Sequence, residues 1–420
     1  MRVLIVNTSE RAGGAAIAAC RLMEALNHNG IKAKMMVRDK RTEQITVATL
    51  PPSPLLKAKF LWERFVIWKA NHFSRKNLFQ IDLANTGTDI TSLPEFKEAD
   101  LIHLHWINQG FLSLRDIRRI IDSGKPVVWT LHDQWPFTGI CHYSGECVKY
   151  QTRCHHCPLL TNGGAADDIS AKVFHRKQQM LRGAHIVFVG CSQWMAGLAR
   201  RSALLTGQEV ASVPNAINAN VFCPADKKRA RLQCNLPTDK KLLLFGAFKA
   251  SDPRKGIDYL KEACRILQET DAGLVSQVGL IVVGNGAEQM RDLFPYPVWP
   301  FDSVGDERQM ARLYNAADAF ITPSLEDNLP NTIVEALSCG TPCIGFRVGG
   351  IPEMIDHLQN GYLAEARNAA DLAEGIRFVL EKADADALSS NAVRAAHARY
   401  GEDHVAAKYI AIYRHATEFK

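Results

Sequence analysis

Short apolar runs alternating with helix-length amphipathic segments constrain this chain more than any other feature. "RVLIVN" is followed by "AAIAACRLMEALNHNG" and "ADLIHLHW" by "SLRDIRRIIDSG"; "PVVWTLHD" and "HIVFVGCS" come next. A strand covered on both faces reads as an unbroken apolar run, and parallel neighbours need a long crossover, usually a helix. The pattern therefore predicts an α/β chain on parallel sheets. It then restarts: "KLLLFGAF", "YLKEACRILQET", "VGLIVVGNG", "MARLYNAA", "DAFITPS", "NTIVEALSCG" and "PCIGFRVGG". Between the halves, "EVASVPNAINANVFCPADKK" carries prolines and no strong period, which sets a joint near residues 206–215. A chain of 420 residues also exceeds one comfortable core. The expected organisation is a domain over 1–205, a second over 206–395, and a closing amphipathic helix over 396–420 that packs back across the joint.

Composition narrows the classes. With 47% hydrophobic and 22% charged residues the chain folds rather than staying disordered. Its net charge of +6 suits anionic ligands or an anionic membrane surface, yet no dense basic run or recognition motif marks a nucleic-acid binder. "MRVLIVNTSERAGG" enters a strand pattern at once and lacks the apolar region of a signal peptide, so a cytoplasmic setting is expected. No apolar run reaches the length of a membrane span.

In doubly wound sheets ligands collect outside the carboxyl ends of the strands, so candidates are sought there. In the second half, Thr322, Pro323 and Ser324 end a strand and Asp327, Asn328, Leu329 and Pro330 form a loop. Asn331 or Thr332 is then positioned to cap the helix "IVEALSCG". A helix start offers backbone N–H groups and a positive dipole end to a phosphate or polarised sugar. Asp327 on the loop and Glu335 about two turns into the helix supply carboxylates for sugar or ribose hydroxyls. The bland alternative is a helix-capping aspartate and a solvated glutamate. Further candidates are the basic turn "KASDPRKG" with Arg254 and Lys255, Gly286 in "VVGNG", and Gly13–Gly14 between the first strand and helix. His132, ending "WTLH", and the weaker His105 in "HLHW" lie at strand ends of the first half.

The stretch "PSLEDNLPNTIVEALSCGTP" with "GGIPE" at 349–353 resembles the signature of glycosyltransferase family 4, retaining enzymes of the GT-B fold. That resemblance implies two Rossmann-like doubly wound domains facing a central cleft, and transfer of a sugar from a UDP- or GDP-sugar to a glycan or lipid-linked acceptor. It implies that Asp327 and the amides around Asn328, Leu329 and Thr332 hold the donor sugar and that Glu335 binds the ribose diol. Lys255, with Arg254 or Lys249, would clamp the diphosphate, Gly286 would approach the nucleotide, and the segment near 299–304 would read the base. It implies also that Gly13 and Gly14 face the donor phosphates and that His132 reaches the donor sugar. A front-face mechanism follows, with no protein general base and no catalytic metal. Three departures stand: Asp327 where the family has Glu, with Glu326 just before it; Ala247 where an Arg follows Gly246; and Asn218 where Asp is usual. The only D-x-D, at 384–386, lies in an Ala-rich helical region and suits no metal.

Two further stretches invite a reading. "KAKFLWERFVIWKANHFSRKN" at 57–77 interleaves aromatics with basic residues, as a helix lying in a membrane interface does, although packing on its own domain is equally consistent. "CHYSGECVKYQTRCHHC" spaces Cys141, Cys147, Cys154 and Cys157 as C-x5-C-x6-C-x2-C, for which a structural zinc, free thiols and disulfides all stay open. With "TLHD" and its tryptophan, this loop also resembles a subset of bacterial capsule and exopolysaccharide transferases. Two other functions compete: a nucleotide-sugar epimerase on the same fold, which needs no acceptor, and a non-catalytic membrane-associated scaffold, which binds no nucleotide.

Overall fold

The computed structural model describes residues 1–302 and 304–418. Ser303, in the segment expected to read the base, and the last two residues of the expected closing helix lie outside the described residues. The chain forms two units. One comprises Met1–Pro214 and the residues from Val405 onward; the other is Asn215–His404.

The first unit holds strands β1 (Arg2–Ser9), β2 (Lys32–Asp39), β3 (Val47–Thr49), β4 (Leu101–Leu104), β5 (Val127–Leu131), β6 (Ile186–Gly190) and β7 (Glu209–Ser212). They pair in parallel in the order β3-β2-β1-β4-β5-β6-β7. The central β4, β5 and β6 are buried along their whole length, which is why they read as apolar runs. Crossover helices are well capped: Ser113 and Asp116 close a reciprocal box at the start of Leu114–Asp122, and Asp168 caps Ile169–Leu181. The helix Glu402–Glu418 returns to this unit from Val405 on, burying Tyr409 and Tyr413.

The second unit holds β8 (Lys241–Lys249), β9 (Val278–Asn285), β10 (Val298–Phe301), β11 (Ala319–Thr322), β12 (Cys343–Phe346) and β13 (Gly361–Ala364). Their order, β10-β9-β8-β11-β12-β13, is the 3-2-1-4-5-6 arrangement of a dinucleotide-type sheet, with every pair parallel. The strand order reverses between β8 and β11.

The first joint lies at 214/215, at the far end of the expected 206–215 range, because β7 pairs with β6 and residues 209–212 complete the first sheet rather than opening the second. The second unit runs to 404, not 395, because the helix Ala385–Tyr400 packs on Asn331–Ser338. The "DAD" at 384–386 is a helix start, Asp384 accepting from the amides of Asp386 and Ala387. The basic aromatic helix spans Pro54–Ala70 rather than running on to 77; after it His72 and Phe73 take positive φ and turn the chain away.

Candidate functional site

In the second unit the strand order reverses between β8 and β11, the point at which sheets of this kind place a ligand crevice outside the carboxyl ends of their strands. Both loops there carry predicted site residues. After β8 the turn Pro253–Lys255, capped by Asp252, sets Arg254 and Lys255 just before the helix Ile257–Thr270. After β11 comes the loop to Asn331. The two loops are bonded directly, Leu325 N donating to Arg254 O at 2.8 Å. Arg254 donates to the Glu326 carbonyl at 2.8 Å and lies 3.8 Å from Asp327, while Lys255 Nζ donates to Asp327 Oδ2 at 2.5 Å. Asp327 also accepts from Ser324 Oγ and from the Asn328 amide.

Asp327, seventy-two residues from Lys255, is buried. Burial works against its ionised form, yet Lys255 first and Arg254 next hold the carboxyl below the usual carboxylate range. The pair is thus a charged contact at the mouth of a switch point, where an anionic ligand would compete for the same cations.

Two glycines make the approach possible. A Cβ on Gly256, at φ +71°, would stand 1.8 Å from Pro323 O; one on Gly349, at φ +57°, would stand 1.9 Å from Asp327 O. Gly350 N donates to that same carbonyl at 3.1 Å, so "GGIPE" backs the acidic loop. Gly349→Ala is expected to cost about 2 kcal/mol or more, through the strained φ and the backbone clash. It should also weaken any ligand bound at Asp327; equal denaturation midpoints for variant and wild type would show that the loop yields.

The helix Asn331–Ser338 departs from expectation at its start. Pro330 takes the capping position and no side chain caps the first turn, whereas Asn331 or Thr332 was expected there. The reason is local: Pro330 has an extended φ/ψ suited to the cap, which puts Asn331 inside the helix, where Asn215 Nδ2 donates to its side chain at 2.9 Å. Glu335 is buried and accepts from Tyr314 OH at 3.0 Å, a partner twenty-one residues away that no motif points to. Asn328 and Leu329 are buried in the loop, and Thr332 lies half-buried in the first turn. Gly286 follows β9 at the same sheet edge, where Ala250 N donates to Asn285 O.

In the first unit, Gly13 ends the loop after β1 and Gly14 begins the helix Gly14–His28, with no side-chain cap. His132 follows β5 and His105 follows β4. Their rings meet, His105 Nδ1 to His132 Nε2 at 2.9 Å, and His132 Nδ1 lies 3.6 Å from Cys191 Sγ. His103, one layer deeper, bonds Tyr413 OH at 2.8 Å and Thr130 Oγ1 at 2.7 Å, and Thr130 meets Tyr409 OH at 2.9 Å. Burial pulls the His132 imidazole down to about 4, against the opposing charge of Asp133, and His103 down to about 3. His132 is therefore a neutral hydrogen-bonding group at pH 7, not a cation for phosphate.

Sequence reading missed the network around His142, which joins Asp133 at 2.6 Å and Asp82 at 2.7 Å. Asp133 also accepts from Trp106 Nε1, and Asp82 pairs with Arg64. No periodicity signals these contacts, because the partners are 9, 18, 27 and 60 residues apart and meet only through the fold.

Of the three readings left open for the four cysteines, the structure shows the free thiols. Cys141, Cys147, Cys154 and Cys157 are free thiols lining one small cavity. Among the described residues no group of three or more His, Cys, Asp or Glu is drawn together to hold a metal ion, so a structural zinc is not shown. Burial pushes Cys141 up to about 12 and Cys154 up to about 11, leaving both neutral and packed as small apolar groups. Beside them Lys177 is fully buried, donating to Trp135 O at 2.5 Å and Thr138 O at 3.1 Å over the Trp135 ring. The lysine thus ties down the segment that leads into the cysteine loop.

Residues 239–382 match the family described as Glycosyl transferases group 1. The chain is 30% identical over 223 residues to a D-inositol 3-phosphate glycosyltransferase of Thermobispora bispora, covering 50% of this chain and 51% of that one. It is 24% identical over 267 residues to WcaC of Escherichia coli, a protein provisionally named a colanic acid biosynthesis glycosyl transferase, covering 61% and 62%. The chain spans about half the length of the curated relatives it matches first. Among solved structures, Anabaena HepE in complex with UDP-glucose superposes with a TM-score of 0.62 at 18% identity, over 98% of this chain and 99% of that one. The likeness extends over both parallel-sheet units, and the fold is GT-B.

Proposed function

We propose, from a chain whose residues 239–382 are a Glycosyl transferases group 1 domain, that it moves a sugar from a nucleoside-diphosphate sugar to a glycan or lipid-linked acceptor. The carrying observation is the Lys255–Arg254–Asp327 cluster at the β8/β11 switch point, beside the start of the helix that holds Glu335. Breaking the glycosidic bond leaves charge on the departing diphosphate. Fixed cations there stabilise that charge best, since they need no reorganisation as it develops. Lys255 and Arg254 fill that role. Asp327 orients Lys255 and accepts from the donor sugar's hydroxyls, and Glu335, steadied by Tyr314, receives the ribose diol.

The stereochemistry we carry over from the family resemblance is retention. The C1–phosphate bond breaks, the acceptor oxygen bonds C1 on the same face, and the acceptor proton passes to the departing phosphate oxygen. No protein base is needed, and His132 is assigned a positioning role only. The donor base stays UDP or GDP. A role in surface polysaccharide synthesis is supported by the similarity to a relative named for colanic acid biosynthesis.

Thermal unfolding with UDP- and GDP-sugars tests this reading. A donor at ~100 times its Kd should raise the second unit's midpoint by about 5 °C or more. No shift with any nucleoside diphosphate would remove the proposal. Donor turnover without acceptor would replace transfer by epimerisation.

A further inference from the structure

We infer that the segment Pro54–Phe79 is a docking surface for an anionic lipid bilayer. Six of the thirteen large hydrophobic residues that stand exposed among the described residues fall in this short stretch: Leu55, Leu61, Trp62, Phe65, Phe73 and Phe79, each 45–65% exposed. They are not scattered. Ring centroids run Trp62–Phe65 at 5.7 Å, Phe65–Trp68 at 6.0 Å and Trp68–Phe73 at 4.7 Å, an unbroken aromatic ridge. Apolar surface gathered in this way marks an interaction site.

The ridge is fixed from behind. Glu63 turns inward to accept from the Leu83 and Ala84 amides at 2.9 and 2.7 Å, Arg64 turns inward to Asp82 and the Leu78 carbonyl, and Ile67 is buried. Asn71, at the end of the helix, accepts from the Thr161 amide at 2.6 Å. The outward face is therefore preformed and loses little conformational freedom on binding.

Charge selects the occupant. The exposed ionic side chains of the segment are Lys57, Lys69, Arg75 and Lys76, all positive, while its single acid, Glu63, is buried. A two-fold contact with a second copy would set these cations against one another, since the same patch meets itself. An anionic bilayer offers both complements, headgroup charge for the cations and an interfacial zone for tryptophan and phenylalanine. This surface rests on no part of the transfer reaction.

The test is cosedimentation of the full chain with vesicles of phosphatidylcholine alone or with about 30 mol % phosphatidylglycerol, at low and high salt. Binding is expected to the mixed vesicles, weakened ~10-fold or more by high salt or by omission of the anionic lipid. The double variant Trp62→Ser/Phe65→Ser, altering two exposed positions, should lose binding ~10-fold while keeping the wild-type thermal midpoint and donor-induced shift. Replacing Lys57, Lys69, Arg75 and Lys76 by Ser should abolish the lipid selectivity. Wild-type protein that ignores mixed vesicles, or a Trp62→Ser/Phe65→Ser variant that binds them equally, overturns the proposal. So does a wild-type dimer that this variant converts to monomer, which would make the ridge a contact between copies.

Discussion

Lys255→Ala should lower glycosyl transfer by ~10²-fold or more, the size of effect seen when one preorganised charge is taken from a developing anion. The loss should fall mainly on turnover, because charge on the diphosphate grows as the bond breaks. The same substitution takes away the nearer of the two cations that face the buried Asp327 and leaves Arg254, at 3.8 Å, beside the hydrogen bonds from Ser324 and Asn328. Lys255 keeps some contact with solvent, so the stability cost is about 2 kcal/mol rather than the full figure for a buried pair. Stability and chemistry separate in the double variant. Lys255→Ala/Asp327→Asn removes the stranded carboxylate and should recover most of the lost stability without recovering transfer. Wild-type turnover in Lys255→Ala would move the phosphate site away from β8 and β11.

The second large effect is acid sensitivity of the first unit. His103 and His132 are held by burial near 3 and 4, and His105 well below its usual value. Unfolded histidine titrates near 6.5, so between about pH 4 and 6.5 the unfolded chain binds protons that the folded unit refuses. Stability from these groups is present above that window and lost as pH falls through it. From pH 7 to pH 5 the loss is roughly 2 kcal/mol for each of His103 and His132. Asp133, whose carboxyl is depressed, acts lower, where carboxylates protonate. Six of the seven tryptophans, all but Trp299, belong to this unit, so their fluorescence in urea at the two pH values reads the effect. His103→Gln should flatten the pH dependence by about one proton; an unchanged slope would mean that the imidazoles already titrate in the folded state.

Legibility in the sequence followed burial. β1, β4, β5, β6, β8, β9, β11 and β12 lie inside their sheets, covered on both faces, and announced themselves as apolar runs. The edge strands β3, β7, β10 and β13 are three or four residues long, and "EVAS" is indistinguishable from a linker until it is seen against β6. That one short strand moved the joint. β2, "KAKMMVRD", alternates too irregularly to stand out. At the site, residue types and their motif could be read directly, but partnership could not. Lys255 meets Asp327 only because β8 and β11 are neighbours, and Tyr314 meets Glu335 across a turn of packing that no spacing encodes. The cysteine loop was open for a related reason: its spacing allowed several chemistries, and the partners of its His142, Asp82 and Asp133, lie outside it.

The tyrosines that close over His103 and Thr130 have a consequence for how the protein comes into being. His103 and Thr130 exist early in synthesis, but the hydroxyls of Tyr409 and Tyr413 leave the ribosome only after the entire second unit. Until then His103 and Thr130 have each other, at 2.7 Å, but lack the two tyrosine contacts that complete their network. The unit whose chain begins first therefore completes its core last, and its final step closes a loop of about 300 residues. Completion of that core therefore waits on the helix Glu402–Glu418, the element that carries both tyrosines.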